Sequence, residues 1–446
     1  MSPTYRTQFD RTFSAQSSLN ETGSASTSNP DDSDVSEEIS AIAKISQTQR
    51  LIACAAWPLA IVSTFHRTFI TAFNGTATDD FTTVYNALSR ALTGLPVYDQ
   101  AYHHVDPLYL YNPGATLLLL PMGLVDNFDA VRYAFIIVNS LAIILALALL
   151  TRLVGQSLRG PVWPVAIAIG FSTESVINTL TFSNINGILL LLLSVFLFCF
   201  VRSFSPVVNT EASRGRSLSP HALRYIAGIA IGLAIVIKPQ FAPLLFLPLM
   251  RLDWRTITGG IAFPVVLNVI AWPLIPGASD YLTKLVPYLG QTRDYANSSL
   301  AGWQAYFDIS NALYLPVWLL VAAAVVIGML VLLRWRVTDI LLWSLTSSGL
   351  LLVGVFTLSS LGQQYYSMWL FPMVFTVFLS RSVFHSWPAW LAAVLFLIPN
   401  SWTSSLWPNF GRWIGTYIGT LGWVLLIVVT LATAVGWWRL QVKNPA

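Results

Sequence analysis

NGTATDDFTTVYNALSRALTGLPVYDQAYHHVDPLYLY, residues 74–111, is the first long polar interruption in a chain that otherwise reads as membrane. It opens on two adjacent carboxylates, Asp79 and Asp80. Behind them Phe81, Val84, Leu88, Leu92 and Leu95 recur at three- and four-residue steps, while Thr82, Thr83, Asn86, Ser89 and Arg90 take the opposite face. That spacing predicts one amphipathic helix. Directly after a hydrophobic span, such a helix is expected to lie along the membrane surface, with both acids at the membrane–water boundary. The same two acids also suit a helix start, one as a cap and one in the first turn. One Asp is enough to cap, so a pair favours chemistry.

The rest of the chain fits that reading. Of 446 residues, 55% are hydrophobic and only 10% charged, against about a quarter charged in ordinary soluble domains. The chain is therefore expected to be an all-α polytopic membrane protein. Its 17 Trp suit aromatic belts at the two interfaces. The net charge of +4 is small, and the basic residues sit in short loops. They report orientation rather than nucleic-acid binding. The 2 Cys, Cys54 and Cys199, each fall inside an apolar run and imply neither a disulfide framework nor a metal cluster.

Residues 1–43 are rich in Ser, Thr, Asn and acids and read as a disordered cytoplasmic tail, leaving 44–446 as the transmembrane domain. No cleavable signal is expected, since the first apolar run starts far from Met1 and is full-length. That run, Leu51 to about Ala72, follows Lys44 and Arg50, which places the preceding end inside. Further spans are expected near 131–151, 160–174, 184–202, 222–238, 239–252, 256–275, 313–334, 338–360, 364–380, 385–400 and 413–438, given about 30 Å of hydrocarbon to cross. Pro113 to Val125 has about half the length of a span. If it does not cross, the basic loops at Arg152/Arg159, Arg202/Arg214/Arg216, Arg251/Arg255, Arg334/Arg336 and Arg439/Lys443 all fall on the cytoplasmic side. It is therefore read as a second interfacial or re-entrant segment. The expectation is about 12 spans, both termini inside, with outer loops near 73–130, 276–312 and 401–412. No Gly-rich phosphate loop is expected on the inner side, so chemistry that depends on soluble nucleotides is not expected.

Polar groups at membrane depth are costly unless paired or hydrated, and they mark candidate sites. Lys238 ends the run GIAIGLAIVIK, and Pro239 breaks the helix at once. A cation at a helix break suits an anion such as phosphate; the alternative is a lysine snorkelling to the interface. Arg293 in the second outer loop suits a two-bond clamp on phosphate or a surface pair with Asp294 or Asp280. Glu174, Asn184 and Asn186 belong to a polar cluster between two spans, where helix capping competes with substrate binding. Gln363, Gln364, Tyr365 and Tyr366 open another span on the same side and suit a sugar or headgroup, or else an aromatic belt, with Gln364, Tyr365 and Tyr366 taken as the site residues. In the first loop His103, His104, Asp106 and Tyr109 are candidate substrate contacts. A metal at the His–Asp group is conceivable but weakly supported by its spacing, and no metal site is assigned.

A base at the interface, cations near the membrane, clustered amides and no nucleotide site together suit a lipid-linked phosphate donor reacting outside the cell. A sugar hydroxyl attacking a glycosyl phospholipid needs a base for its proton and positive charge for the departing phosphate. A single displacement needs one such carboxylate, Asp80 or Asp79.

The stretches TDDFTTVYNAL and GLPVYDQAYHHVDPLYLYNPGATLLLLP (78–88 and 94–121) resemble the first outer loop of the polyprenyl-phosphate-dependent membrane glycosyltransferases of GT-C type. With TLTFSNINGILLL (179–191), KPQFAPLLFLPL (238–249), TRDYANSSLAG (292–302), QQYYSMWLFP (363–372) and SWPAWL (386–391), the chain from about Leu51 to Trp438 is similar to the actinobacterial α-(1→3)-arabinofuranosyltransferases within them. The resemblance implies a GT-C bundle, a decaprenyl-phosphate arabinose donor and an α-(1→5)-arabinan acceptor of arabinogalactan or lipoarabinomannan. It also implies inversion at the anomeric carbon, no cofactor beyond that lipid-linked substrate, no nucleotide sugar, and catalytic loops outside the plasma membrane. A divalent-ion role stays open. In such families the basic acid precedes an apolar residue with a Tyr a few positions on; Asp80-Phe81…Tyr85 matches, so Asp80 leads and Asp79 is second. The chain departs from the family at Tyr111-Asn112-Pro113, where Tyr-Pro-Pro is expected. Two rival readings are a polyprenyl-phosphate-mannose-dependent mannosyltransferase of the same architecture and a lipid or sugar transporter without chemistry. The second prefers internal repeats and mid-span charges, which the chain lacks.

Overall fold

The computed structural model describes residues 31–75, 80–102, 108–204, 218–399 and 404–443. The chain divides into two compact units, residues 1–52 and 53–446. Among the described residues every regular element is helical. Helix α1, Asp31–Phe65, begins inside the stretch expected to be a tail and runs on as a π-helical turn, His66–Ala72.

The opening stretch forms α2, Asp80–Leu92. Phe81, Val84, Ala87 and Leu88 are buried, so the helical spacing selects the packed face down to Leu88. Leu92 and Leu95, expected on that face, are 40% and 55% exposed. The helix ends at Leu92, and Gly94 turns the chain at φ 77°, a left-handed conformation that glycine adopts without steric cost. Leu95 therefore lies beyond any helical repeat. The returning chain is pinned by its own polar groups: Arg90 donates to the Val97 carbonyl (2.8 Å), Tyr98 to that of Tyr111 (2.9 Å) and Tyr102 to that of Tyr109 (3.1 Å).

Pro113–Leu119 forms α3 and Leu120–Leu124 a 3₁₀ turn. Together they span about 20 Å, too little to cross hydrocarbon. The departure at Asn112 has a structural use. Its side chain caps α3 by accepting from the Ala115 N–H (2.9 Å) and donates to the Val236 carbonyl (2.6 Å); a proline can do neither.

Next come α4 (Phe128–Leu153), α5 (Val162–Gly170), α6 (Glu174–Thr181), α7 (Asn186–Phe204), α8 (Pro220–Ile237), α9 (Phe246–Met250), α10 (Trp254–Leu274), α11 (Val286–Leu289), α12 (Leu300–Phe307), α13 (Asn311–Leu332), α14 (Ile340–Leu358), α15 (Phe371–Val374), α16 (Trp387–Leu397) and α17 (Pro408–Lys443). Among the described residues, 7 helices are long and apolar enough to cross a membrane: α4, α7, α8, α10, α13, α14 and the Tyr417–Val442 part of α17. Each coincides with an expected span. The first expected span, Leu51 to about Ala72, lies in α1 and its π-helical continuation and is not among the seven, and those at 160–174, 239–252, 364–380 and 385–400 are short or broken. The stretch 160–174 becomes α5, of 9 residues, and then α6 after a turn; 385–400 becomes α16, of 11 residues. At 239–252 and 364–380, 3₁₀ segments alternate with single helical turns. Pro164, Pro239, Pro243, Pro248, Pro372 and Pro388 lie in these stretches; each lacks an N–H and crowds the preceding turn.

α7 and α14 form the centre, with α8 packed against both α7 and α10. Outward, α10 exposes Ile261, Val265, Val266, Val269 and Ile270. In water such a stripe would be an anomaly; against lipid it is what a span requires.

Candidate active site

α2 starts at a fixed point. The Asp80 N–H donates to the Phe182 carbonyl (2.9 Å), which ties the helix to the turn Phe182-Ser183-Asn184 between α6 and α7. Ser183 turns that chain with φ 52°. The next residue, Asn184, donates from Nδ2 to Asp80 Oδ2, and the Tyr365 hydroxyl donates to the same oxygen at 3.2 Å. The carboxylate is thus oriented by one amide and one phenol, each fixed by a different element.

Two residues beyond Asn184, Asn186 opens α7. Its Oδ1 accepts from Lys238 Nζ at 2.8 Å, and its N–H donates to Asn184 Oδ1 at 3.2 Å. Asn184-Ile185-Asn186 therefore holds the acid with its first amide and the cation with its last. Lys238 sits where α8 ends and a 3₁₀ turn begins at Pro239. It is 8% exposed, and its ammonium lies 4.6 Å from the Tyr366 ring centre, 5.3 Å from Trp369 and 5.5 Å from Tyr365. An amide acceptor and three ring faces offset much of the cost of removing the charge from water.

Asp80 and Lys238 line one cavity of about 260 Å³, the scale of a small-ligand site. Asn184, Tyr365, Tyr366 and Arg293 also line it. The structure thus gathers six residues of the sequence analysis on one surface. Tyr109, Glu174, Asn186 and Gln364 are not on it. Tyr109 is fully buried and bonded to Thr116 (2.7 Å). Glu174 is buried in the first turn of α6, accepting from Asn178 at 3.0 Å. Asn186 works from beneath, through Lys238. Gln364 is buried behind the wall, while the preceding Gln363, with extended backbone ahead of the 3₁₀ turn, faces the cavity. Gln363 Oε1 accepts from the Tyr366 hydroxyl at 3.0 Å and lies against the Tyr365 hydroxyl, whose single proton can serve either Asp80 or Gln363. Asp79, His103, His104 and Asp106 lie outside the described residues.

The far wall is the second outer loop. Arg293 Nη1 lies 3.5 Å from the Tyr295 hydroxyl, and its buried Nη2 has no hydrogen-bond partner. Asp280, one of its expected surface partners, is paired with Lys284 instead (2.8 Å). The loop is fastened by Asn297, which donates to the carbonyls of Arg293 (3.0 Å) and Ser360 (2.8 Å) and accepts from the Gly362 N–H (2.9 Å).

Gln363, Tyr111, Asn112, Tyr288 and Gln291 also line the cavity, and none of them was among the site residues chosen from the sequence. Gln363 stood beside a chosen residue in the same motif, and Tyr111 in the opening stretch. Burial, and then the Asp80 carboxylate, hold the Tyr111 phenol well above its ordinary value, so it remains a neutral hydroxyl. Among the described residues no group of three His, Cys, Asp or Glu could hold a metal ion. The cavity therefore presents one oriented carboxylate, two cations, and amide and phenol groups suited to hydroxyls.

Residues 109–360 match the sequence pattern of Glycosyltransferase family 87. The chain is also 52% identical over 382 residues to the α-(1→3)-arabinofuranosyltransferase of Corynebacterium glutamicum, covering 86% of this chain and 87% of that protein. It is 40% identical over 389 residues to the α-(1→3)-arabinofuranosyltransferase of Mycolicibacterium smegmatis and over 390 residues to that of Mycobacterium tuberculosis. Each of these covers 86% of this chain and 85% of the relative.

Proposed function

The chain belongs to glycosyltransferase family 87 and is a glycosyltransferase of the membrane; from that premise we propose that it transfers arabinofuranose from decaprenyl-phosphate arabinose to the 3-hydroxyl of an α-(1→5)-arabinan chain. The product is an α-(1→3) branch of arabinogalactan or lipoarabinomannan. The transferred sugar follows the names of the relatives. A lipid-phosphate donor is the reading that the resemblance implies, and the cavity supports it by setting one carboxylate beside two basic side chains.

The proposed reaction is a single inverting displacement. The acceptor hydroxyl oxygen forms a bond to the anomeric carbon as the bond from that carbon to the phosphate oxygen breaks. Asp80 takes the hydroxyl proton, and the lipid phosphate leaves with the bonding electrons. Asn184 and Tyr365 aim the carboxylate, so the base is positioned before substrate arrives. Lys238 and Arg293 take up the negative charge developing on the phosphate. Gln363 and Tyr111 offer partners for sugar hydroxyls. No resident cofactor enters the scheme. The observation that carries the reading is the Asn184-Ile185-Asn186 tripeptide, which fixes base and cation together at one cavity.

The same proposal places the cavity on the outer face of the plasma membrane. In that orientation the loops with Arg152, Arg159, Arg251, Arg255, Arg334 and Arg336 face inward, as the positive-inside rule requires. The count of about twelve crossings is kept, with the broken segments crossing as helix pairs and the first-loop helices at the interface.

The test uses purified protein with decaprenyl-phosphate arabinose, decaprenyl-phosphate mannose and a linear arabinan acceptor. Arabinose transfer that yields 3,5-linked residues is expected. Transfer of mannose alone would assign the chain to the rival mannosyltransferase reading.

A further inference from the structure

α8 carries charge at both ends. Arg224 lies fourteen residues before Lys238, roughly 21 Å along the helix axis, so it marks the end of the bundle away from the cavity. There the last residue of α7, the first turns of α8 and the turn from α9 into α10 converge. The guanidinium groups of Arg224 and Arg251 each lie 4.4 Å from the centre of the Phe204 ring. Arg251 also donates from Nη1 to the Arg336 backbone carbonyl at 3.2 Å, which ties the turn after α13 to the cluster, while the Arg336 guanidinium itself donates to the Leu333 carbonyl at 3.1 Å.

Among the described residues the acids at this end are Asp339, which caps α14 by accepting from the Leu342 N–H (3.0 Å), and Asp253. Asp253, 2% exposed, gives Oδ2 to the Thr256 hydroxyl at 2.6 Å and stands 4.0 Å from Arg224 Nε, the outer limit of an ion pair. The buried Nε atoms of both Arg224 and Arg251 have no hydrogen-bond partner. Burial, and then the neighbouring Arg224 and Arg336, hold the Arg251 guanidinium below its ordinary value. Ordinary loop arginines point singly into water; these converge on one ring with unmet donors.

The flanking residues indicate what an anion here would be attached to. Leu249, Leu252 and Trp254, which bracket Arg251 in the chain, are 43%, 70% and 63% exposed. They lead into the exposed apolar face of α10. A free phosphate has no use for such neighbours, whereas a phospholipid presents its phosphate and its acyl chains at this spacing.

We propose that Arg224 and Arg251, with Arg336 beside them, bind the phosphate of an anionic phospholipid headgroup whose acyl chains lie along Leu249, Leu252, Trp254 and α10. This site is separate from the cavity of the proposed reaction, and its occupancy does not depend on which sugar is transferred.

The full chain is reconstituted in phosphatidylcholine with and without phosphatidylglycerol, extracted gently, and its retained lipid counted by native mass spectrometry. Wild-type protein is expected to retain phosphatidylglycerol preferentially, and Arg224→Gln/Arg251→Gln to lose about tenfold of that retention. Arg159→Gln, an exposed arginine elsewhere, should retain it. Should the double glutamine variant not fold, Arg224→Lys/Arg251→Lys keeps the charge without the planar fork and should lose about threefold. Equal retention by wild type and a folded double variant overturns the proposal, as does an equal loss in Arg159→Gln, which would make the effect diffuse surface charge. Displacement of the lipid by millimolar inorganic phosphate would reassign the site to a free anion.

Discussion

The two walls of the cavity carry a cation each and hold them in opposite ways. On the wall built from α2, α7, α8 and the turn at Gln364, the charged groups are satisfied before any substrate arrives. Asp80 receives Asn184 and Tyr365, and Lys238 reaches Asn186 and three aromatic faces. On the opposite wall the loop is fastened through Asn297, yet Arg293 keeps a buried Nη2 without a partner. A buried unmet donor costs about 1–3 kcal/mol. Under the proposed reaction the contrast separates two jobs: the first wall would set the geometry of the reacting groups, and the second would complete its hydrogen bonding when an anion enters. Preorganised charge of the first kind lowers a barrier; an unmet donor of the second kind rewards binding.

That division can be broken by single substitutions. The largest effect is expected at Asp80. Asp80→Asn removes the proton acceptor and should lower kcat about a thousandfold, with an unchanged elution profile, while Asp79→Asn keeps most of the activity. Substantial turnover by Asp80→Asn would remove the base from the scheme. Lys238→Ala is next. Loss of a charge-assisted bond to phosphate is worth about 1.5–3 kcal/mol, or roughly 10–150-fold, and steady-state rates should show it in kcat/KM for the lipid donor rather than for the arabinan. An equal effect on both substrates would contradict a phosphate role.

Arg293→Ala should raise the donor KM about tenfold with little change in thermal midpoint, because it removes an unmet donor from the resting protein. Arg293→Lys should recover little of the loss, since an ammonium lacks the planar fork. A marked fall in thermal midpoint would show that this wall is structural after all. The smallest effect is expected for Tyr365→Phe, which leaves Asn184 to aim Asp80 alone: about fivefold in kcat with donor KM unchanged. If the two KM values move and kcat does not, Tyr365 contacts substrate instead of orienting the base.

Much of this cavity was legible before any coordinates. A polar stretch with an acid pair inside a hydrophobic chain marked Asp80, and a lysine before a proline marked Lys238, because polar groups and helix breaks are conspicuous in apolar sequence. What stayed hidden depends on direction rather than type. Gln363 and Gln364 are the same residue side by side, and only the turn from extended backbone into a 3₁₀ helix puts the first in the cavity and the second behind it. Tyr109 and Tyr111 divide in the same way, one bonded to Thr116 inside and one lining the cavity. Leu95 extends the apolar count of α2 past Leu92, where the helix stops.

The spans show the same limit. Seven were readable from uninterrupted hydrophobic length. The stretches at 239–252 and 364–380 have the composition of spans but not their geometry, since prolines and 3₁₀ turns shorten and redirect them.

Composition and periodicity by themselves determined an all-helical membrane protein, the place of its first polar loop and the residue types available for chemistry, because hydrophobic length and local propensity act along the chain. Only the tertiary structure decided that Asn184 serves the acid while Asn186 serves the lysine, and that Arg293 faces both from another loop. Those pairings join residues more than fifty positions apart, and no local signal encodes which of several amides a folded chain will bring within 3 Å of a charge.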